Sequence, residues 1–263
     1  MARGRCISSS STAEGDLNGV HLSDAAAPDG MRIYAIGDVH GRLDLLSRLH
    51  DAIGEEIARD APADWRIVHL GDYVDRGPDS RGVIDRLRRV MRTDSRFVAL
   101  CGNHDIGMID FLERADPEGL FPLYGGAETA LSYGVQPDFS SAWLARRTAD
   151  AMLEALPDGH LELIKGLGRS VAFGDYFFCH AGVRPEVRLA DQDPDDLIWI
   201  RNVFLGWTGL HEKVVVHGHT PRREPELLPN RINVDTGAYV SGVLSAVALE
   251  GRSARILQVV TEV

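Results

Sequence analysis

Five times along this chain a short apolar run stops beside a glycine and gives way to a cluster of polar side chains. Arg32 to Ile36 leads into Gly37-Asp38-Val39-His40-Gly41, and Trp65 to Leu70 leads into Gly71-Asp72. Arg96 to Cys101 leads into Gly102-Asn103-His104-Asp105, and Tyr176 to Cys179 leads into His180-Ala181-Gly182. Val214 to Val216 leads into His217-Gly218-His219-Thr220-Pro221. Runs this short and continuous fit strands buried on both faces. Helical spacing lies between them. Leu45, Leu46, Leu49, Ile53 and Ile57 form one stripe. Val83, Ile84, Leu87, Val90 and Met91 form another, with Asp79 or Ser80 as its cap. Ile106 to Arg114 suggests a third helix. Strand, loop and helix in alternation predict an α/β fold. In such sheets ligands bind beyond the carboxyl ends of the strands, where all five clusters fall.

Three stretches depart from this rhythm. Residues 106–168, with Pro122, Gly125 and Gly126, read as an inserted, mostly helical segment that either flanks the site or is structural filler. Arg231 to Val234, Val243 to Leu249 and Ile256 to Val260 read as strands that extend or face the first sheet. Residues 1–30 are rich in Ser, Ala, Gly and Asp without periodicity and read as a disordered tail. Residues 31–263 are then a single domain.

Composition excludes more than it selects. The net charge of -11 argues against nucleic acid or an anionic membrane as the partner. No apolar run is long enough to cross a bilayer. Arg3 and Arg5 have no apolar segment behind them, so no secretory signal is expected. Cys6, Cys101 and Cys179 make no disulfide framework. Cys101 and Cys179 end apolar runs, which suits buried reduced thiols and a cytoplasmic compartment.

The clusters carry the chemistry. Asp38 and His40, two apart at a sharp turn, can reach one metal ion. Asp72 has two carboxylate oxygens and can bridge two ions. Asn103 adds a neutral oxygen, and His180 and His219 add imidazoles. Each alone is unremarkable; five clusters in the same setting are hard to explain without a site. Oxygen and nitrogen donors without thiolate favour Mn, Fe or Zn over Ca or an iron–sulfur cluster. Two ions about 3.5–4 Å apart clamp an in-line displacement on phosphorus and lower the pKa of a water between them. Phosphate needs a counter-charge and the departing oxygen needs a proton; Arg76 and His104 suit those tasks. The plain alternative for Arg76 is a surface salt bridge, which its place next to Asp72 and Asp75 disfavours.

Gly-Asp-Val-His-Gly, Gly-Asp-Tyr-Val-Asp-Arg-Gly, Gly-Asn-His-Asp, His-Ala-Gly and Gly-His-Thr-Pro, in this order, resemble the calcineurin-like metallophosphoesterases, and more narrowly the bacterial phosphoprotein phosphatase branch. The resemblance covers about residues 31–263. It implies a four-layer α-β-β-α sandwich of two mixed sheets with flanking helices. It implies a first metal held by Asp38, His40 and Asp72 and a second held by Asp72, Asn103, His180 and His219. Asn103 and His104 would also face the substrate phosphate. His104 matches the general acid, oriented by Asp75, and Arg76 matches a phosphate arginine. A second phosphate arginine is expected at Arg201, with Arg184 as the fallback. The Gly-His-Thr-Pro alignment selects His219 over His217. Asp105 stands where many relatives have Glu, and Ala181 where eukaryotic members have Gly.

These motifs predict a dinuclear phosphomonoester hydrolase with two divalent ions, manganese first. The leading substrate is a phosphorylated protein or a small phosphoester. The alternative is a dinucleoside polyphosphate such as diadenosine tetraphosphate. A non-catalytic scaffold would have lost ligands or His104, and neither loss is seen.

Overall fold

The computed structural model describes residues 19–261. Its strands are β1 (Met31–Ile36), β2 (Asp64–His69), β3 (Phe97–Ala99), β4 (Ser170–Phe173), β5 (Tyr176–Cys179), β6 (Val214–His217), β7 (Glu226–Leu228), β8 (Arg231–Asn233), β9 (Val243–Glu250) and β10 (Ser253–Val260). Its helices are α1 (Leu43–Asp60), α2 (Ser80–Thr93), α3 (Asn103–Arg114), α4 (Leu120–Leu123), α5 (Gly126–Ser132), α6 (Ala142–Ala155), α7 (His160–Lys165), α8 (Asp196–Trp199), α9 (Asn202–Leu205) and α10 (Ala238–Ser241).

Two five-stranded sheets form, in the orders β10-β9-β1-β2-β3 and β4-β5-β6-β8-β7. Both are mixed. β1, β2 and β3 run parallel through the crossovers α1 and α2, while β9 joins β1 antiparallel. β5, β6 and β8 also run parallel. Strand alternation sorts the side chains into layers. Ile33, Ala35, Val68 and Leu70 meet Tyr176, Phe178, Val214 and Val216 between the sheets. Tyr34, Ile36 and Ile67 point the other way, onto the stripes of α1 and α2. Phe177, Cys179 and Val215 point outward beneath Leu197, Ile200 and Phe204. The result is the four-layer α-β-β-α sandwich.

The helix ends follow from local chemistry. Asp79 caps α2, its carboxylate accepting from the Gly82 N–H at 2.8 Å. Such a cap stabilises a helix by about 1 kcal/mol. α1 ends where Ala61 turns left-handed (φ 45°) and its N–H bonds the Ile57 carbonyl; Pro62 follows.

The segment 106–168 is helical, from α3 to α7, and shares the core of the first sheet. Phe111, Phe121, Ala145, Ala149 and Met152 all belong to the cluster under α1 and α2.

Part of the expected tail packs. Residues 1–18 lie outside the described residues. Within 19–30, Val20 bridges His211, and the Leu22 N–H bonds the Pro229 carbonyl at 2.7 Å. Ala25 and Ala27 are buried in the layer between the sheets. Small side chains without periodicity look disordered in sequence, yet alanine is what a narrow margin of that layer accepts.

Candidate metal centre

Every cluster read from the sequence sits at the carboxyl end of its strand. Asp38 and His40 follow β1, Asp72 follows β2, Asn103 and His104 open α3 after β3, His180 follows β5, and His219 follows β6. All seven are at most 4% exposed. The backbone that delivers them is strained. His40 (φ 43°), Asp72 (55°), Asp75 (71°), Arg76 (69°) and His219 (66°) are all left-handed. For a residue with a Cβ that costs about 1–2 kcal/mol each. Hydrogen bonds hold the loops there. The Asp72 carbonyl accepts from the N–H groups of Val39 at 3.2 Å and His40 at 2.8 Å. The Asp105 carboxylate accepts from the N–H groups of Asp72, Tyr73 and Gly102 at 2.8–3.0 Å. Burial and the Asp72 charge push Asp105 up to about 7, against the pull of those N–H groups. Gly102 is needed for space: a Cβ there would stand 2.1 Å from Asp72 Oδ1.

Two groups of donor atoms share Asp72. One is His40, Asp72 and His104; the other is Asp72, His180 and His219, with the atoms of each group within 4.8 Å of one another. Asp72 Oδ2 lies 3.4 Å from His40 Nε2 and 3.4 Å from His180 Nε2. His180 Nδ1 donates to the Leu70 carbonyl at 3.0 Å, and His40 Nδ1 donates to the Val74 carbonyl at 2.8 Å. A carbonyl only accepts, so each Nε2 presents a lone pair when its ring is neutral. His180 Nε2 then faces Asn103 Oδ1 at 3.0 Å, His219 Nδ1 at 3.1 Å and the Asp72 carboxylate. Asn103 Oδ1 faces His219 Nδ1 at 2.8 Å. The lone pair of His180 Nε2 and the carboxylate of Asp72 meet in one buried spot with Asp38 nearby, and the cluster is short of positive charge. Burial pulls the His180 pKa down, but the Asp72 and Asp38 carboxylates outweigh it and raise it to about 9. A divalent cation supplies the same charge, and this mix of carboxylate, amide oxygen and imidazole suits one. Such a metal site fits these residues.

Asp38 stands at the edge of this set. Its carboxylate accepts from the His219 N–H at 3.1 Å and lies 3.9 Å from His180 Nδ1. His104 has both nitrogens engaged, Nδ1 with Asp75 Oδ2 at 2.7 Å and Nε2 with Arg76 Nη2 at 2.9 Å. Its commitment to Asp75 separates it from the other imidazoles. His217 turns away: its Nδ1 faces the Gly218 carbonyl at 3.0 Å, and its ring packs edge-on to Phe204. Arg76 spans the mouth, with Nη1 3.1 Å from His40 Nε2. Arg201 is exposed, makes no ion pair among the described residues, and lies close enough to His219 to depress its pKa, behind burial and His180. Arg184 is tied up with Asp196 at 2.7 and 2.9 Å.

The sequence profile of the calcineurin-like phosphoesterases matches residues 31–240. The chain belongs to that family. Among curated relatives of this phosphoesterase, the asymmetrical bis(5'-nucleosyl)-tetraphosphatase PrpE of Anoxybacillus flavithermus is 27% identical over 226 residues, covering 80% of this chain and 87% of the relative. The protein of the same name from Halalkalibacterium halodurans is 26% identical over 231 residues, covering 82% and 89%. Among solved structures, one described as a candidate diadenosine tetraphosphatase superposes with a TM-score of 0.60 at 20% identity, covering 89% of this chain and 98% of that one. A protein serine/threonine phosphatase from Saccharomyces cerevisiae gives 0.54 at 14% identity, covering 89% and 81%. These superpositions show the shared fold.

The phosphoesterase site also holds residues that sequence reasoning missed. Thr129 of α5 donates its hydroxyl to Asp75 Oδ1 at 3.0 Å, and its oxygen accepts the Asp75 N–H at 2.8 Å. The Gly125 carbonyl accepts the Arg76 N–H at 3.0 Å. The inserted helices therefore prop the loop that carries Asp75 and Arg76. Asp235, after β8, is buried with Oδ2 unpartnered, and its charge adds to burial in raising the pKa of Asp38. The Tyr239 ring sits 4.6 Å from the Arg76 guanidinium carbon and 5.4 Å from His40. Asp235 also ends a strand, in Asn233-Val234-Asp235-Thr236-Gly237, so the rule that found the other five clusters could have found it. Nothing local marks Thr129.

Proposed function

We propose that this phosphoesterase hydrolyses dinucleoside polyphosphates asymmetrically, at two divalent ions, manganese first among the candidates. The substrate class rests on one observation: full-length relatives at 26–27% identity carry the name asymmetrical bis(5'-nucleosyl)-tetraphosphatase. The phosphoprotein reading, first in the motif resemblance, has likeness of fold at 14% identity behind it.

In this reading Asp38, His40 and Asp72 hold one ion, and Asp72, Asn103, His180 and His219 hold the other. The equal 3.4 Å distances from Asp72 Oδ2 to two imidazoles support its place between them. When bound, the ions supply Lewis acidity toward the phosphoryl oxygens and a water acidic enough to attack. The protein does the rest. Arg76 leaves His40 and His104 to fork onto the phosphate, and Arg201 takes a further oxygen. Arg76's departure frees His104 Nε2, which carries a proton to the oxygen that leaves. Asp75 holds the other ring nitrogen and so fixes which edge faces the substrate. Burial raises Asp75 to about 6, against the hydrogen bonds from His104 and Thr129. The two buried free thiols, Cys101 and Cys179, suit a reducing compartment. No described helix is long and apolar enough to cross a membrane.

The test compares kcat/KM of the metal-loaded protein on diadenosine tetraphosphate, phosphoserine peptide and phosphotyrosine peptide. Faster cleavage of the dinucleotide, to ATP and AMP, is expected. Preference for either peptide would overturn the substrate assignment and leave the hydrolase assignment standing.

A further inference from the structure

Beside the candidate metal centre lies a cavity of about 120 Å³ between α3 and α4, with Trp199 on one side. Its walls include Phe111, Leu120 and Phe121. Its rim carries Asp110 and Arg114, one turn apart on α3, and neither is hydrogen-bonded or ion-paired to another described side chain. Trp199 belongs to both places. It lines the cavity, it is 43% exposed, and its ring lies 6.4 Å from that of His219. Arg201 follows two residues later on the same loop. An open indole beside a phosphate site offers a face on which a flat ring can stack.

We propose that this cavity receives one nucleobase of the substrate, its face against Trp199 and its edge toward Asp110 and Arg114. The proposal rests on the dinucleotide reading above and adds where the base goes. The size suits a flat ring: the space equals roughly four waters at about 30 Å³ each. The chemistry suits a base above a phenyl ring. A base has both donors and acceptors on its edge for a carboxylate and a guanidinium to recognise; the ring of phosphotyrosine has none of the former. Trp199 and Arg201 on one short segment would couple recognition of the ring to recognition of its phosphate.

Titration calorimetry on the metal-loaded protein tests this with AMP, phenyl phosphate and inorganic phosphate. The wild-type protein should bind AMP more tightly than phosphate. Trp199→Ala should weaken AMP about tenfold, the usual scale of base stacking on an aromatic side chain. Inorganic phosphate should bind the variant as it binds wild type, and Trp199→Phe should restore most of the AMP affinity. Equal AMP affinity in wild type and Trp199→Ala would overturn the proposal. So would an equal loss with phenyl phosphate, which would make the occupant a phosphotyrosine-type ring. The two readings separate. AMP binding through Trp199 without cleavage of diadenosine tetraphosphate sinks the substrate class and keeps the subsite. Cleavage with an unchanged KM in Trp199→Ala sinks the subsite and keeps the substrate class.

Discussion

Two groups of buried histidines in this molecule obey opposite rules. Between α1 and β2, His50 and His69 form a closed chain. Arg86 Nε donates to His50 Nδ1 at 3.0 Å, the two Nε2 atoms lie 2.8 Å apart, and His69 Nδ1 reaches the Val98 carbonyl at 3.1 Å. One proton per ring satisfies every nitrogen. Burial first and the Arg86 charge behind it hold His50 down to about 2 and His69 to about 4, so both stay neutral. At the strand ends, His180 Nε2 faces the buried Asp72 carboxylate, with Asn103 and His219 beside it. Burial is common to both. What marks the second place as a site is buried carboxylate charge among candidate ligands, which a cation corrects.

The largest effect should come from Asp72→Asn. Losing the shared carboxylate should lower kcat by several orders of magnitude and reduce bound metal from two ions per chain, as read by elemental analysis. A variant that kept two ions and full rate would remove the distinction between the two histidine settings. His104→Ala should lower kcat by about 10²–10⁴-fold, the range of general acid catalysis, with metal content unchanged. The loss should be smaller on a dinucleotide than on an alkyl phosphate, because a polyphosphate leaving group needs less protonation. Equal loss of metal and turnover would make His104 a ligand instead of an acid. Arg201→Ala should raise KM about tenfold, and Arg184→Ala, whose partner is Asp196, should change it little. The reverse order would exchange the two arginines.

The smallest effect belongs to the core pair. Their native pKa values lie below the unfolded value of about 6.5, so their stabilisation is complete above that pH and is lost as pH falls toward about 4 for His69 and about 2 for His50. Each contributes a slope of roughly 1 kcal/mol per pH unit in that window. Chemical denaturation of His69→Gln should show a shallower pH dependence than wild type, with metal content unchanged. A change in metal content would tie the core chain to the site.

The strand-end clusters were legible because each is local: apolar run, glycine, polar turn. The same holds for α1 and α2, whose stripes and cap lie in single windows. β4 and β7 were not legible. They are the short edges of the second sheet, held by pairing with β5 and β8. Thr129 reaches Asp75 across 54 residues of chain, so no window contains both. Residues 19–30 pack through backbone bonds to Pro229, His211 and Gly251, which sequence pattern does not record.

The decisive feature is an Asp72 that lies between two ions. Anomalous X-ray scattering at the manganese edge, from crystals grown with that metal, measures this directly. The prediction is two peaks about 3.5–4 Å apart, both touching Asp72, one beside His40 and the other beside His180 and His219. A single peak, or a pair away from Asp72, would contradict it.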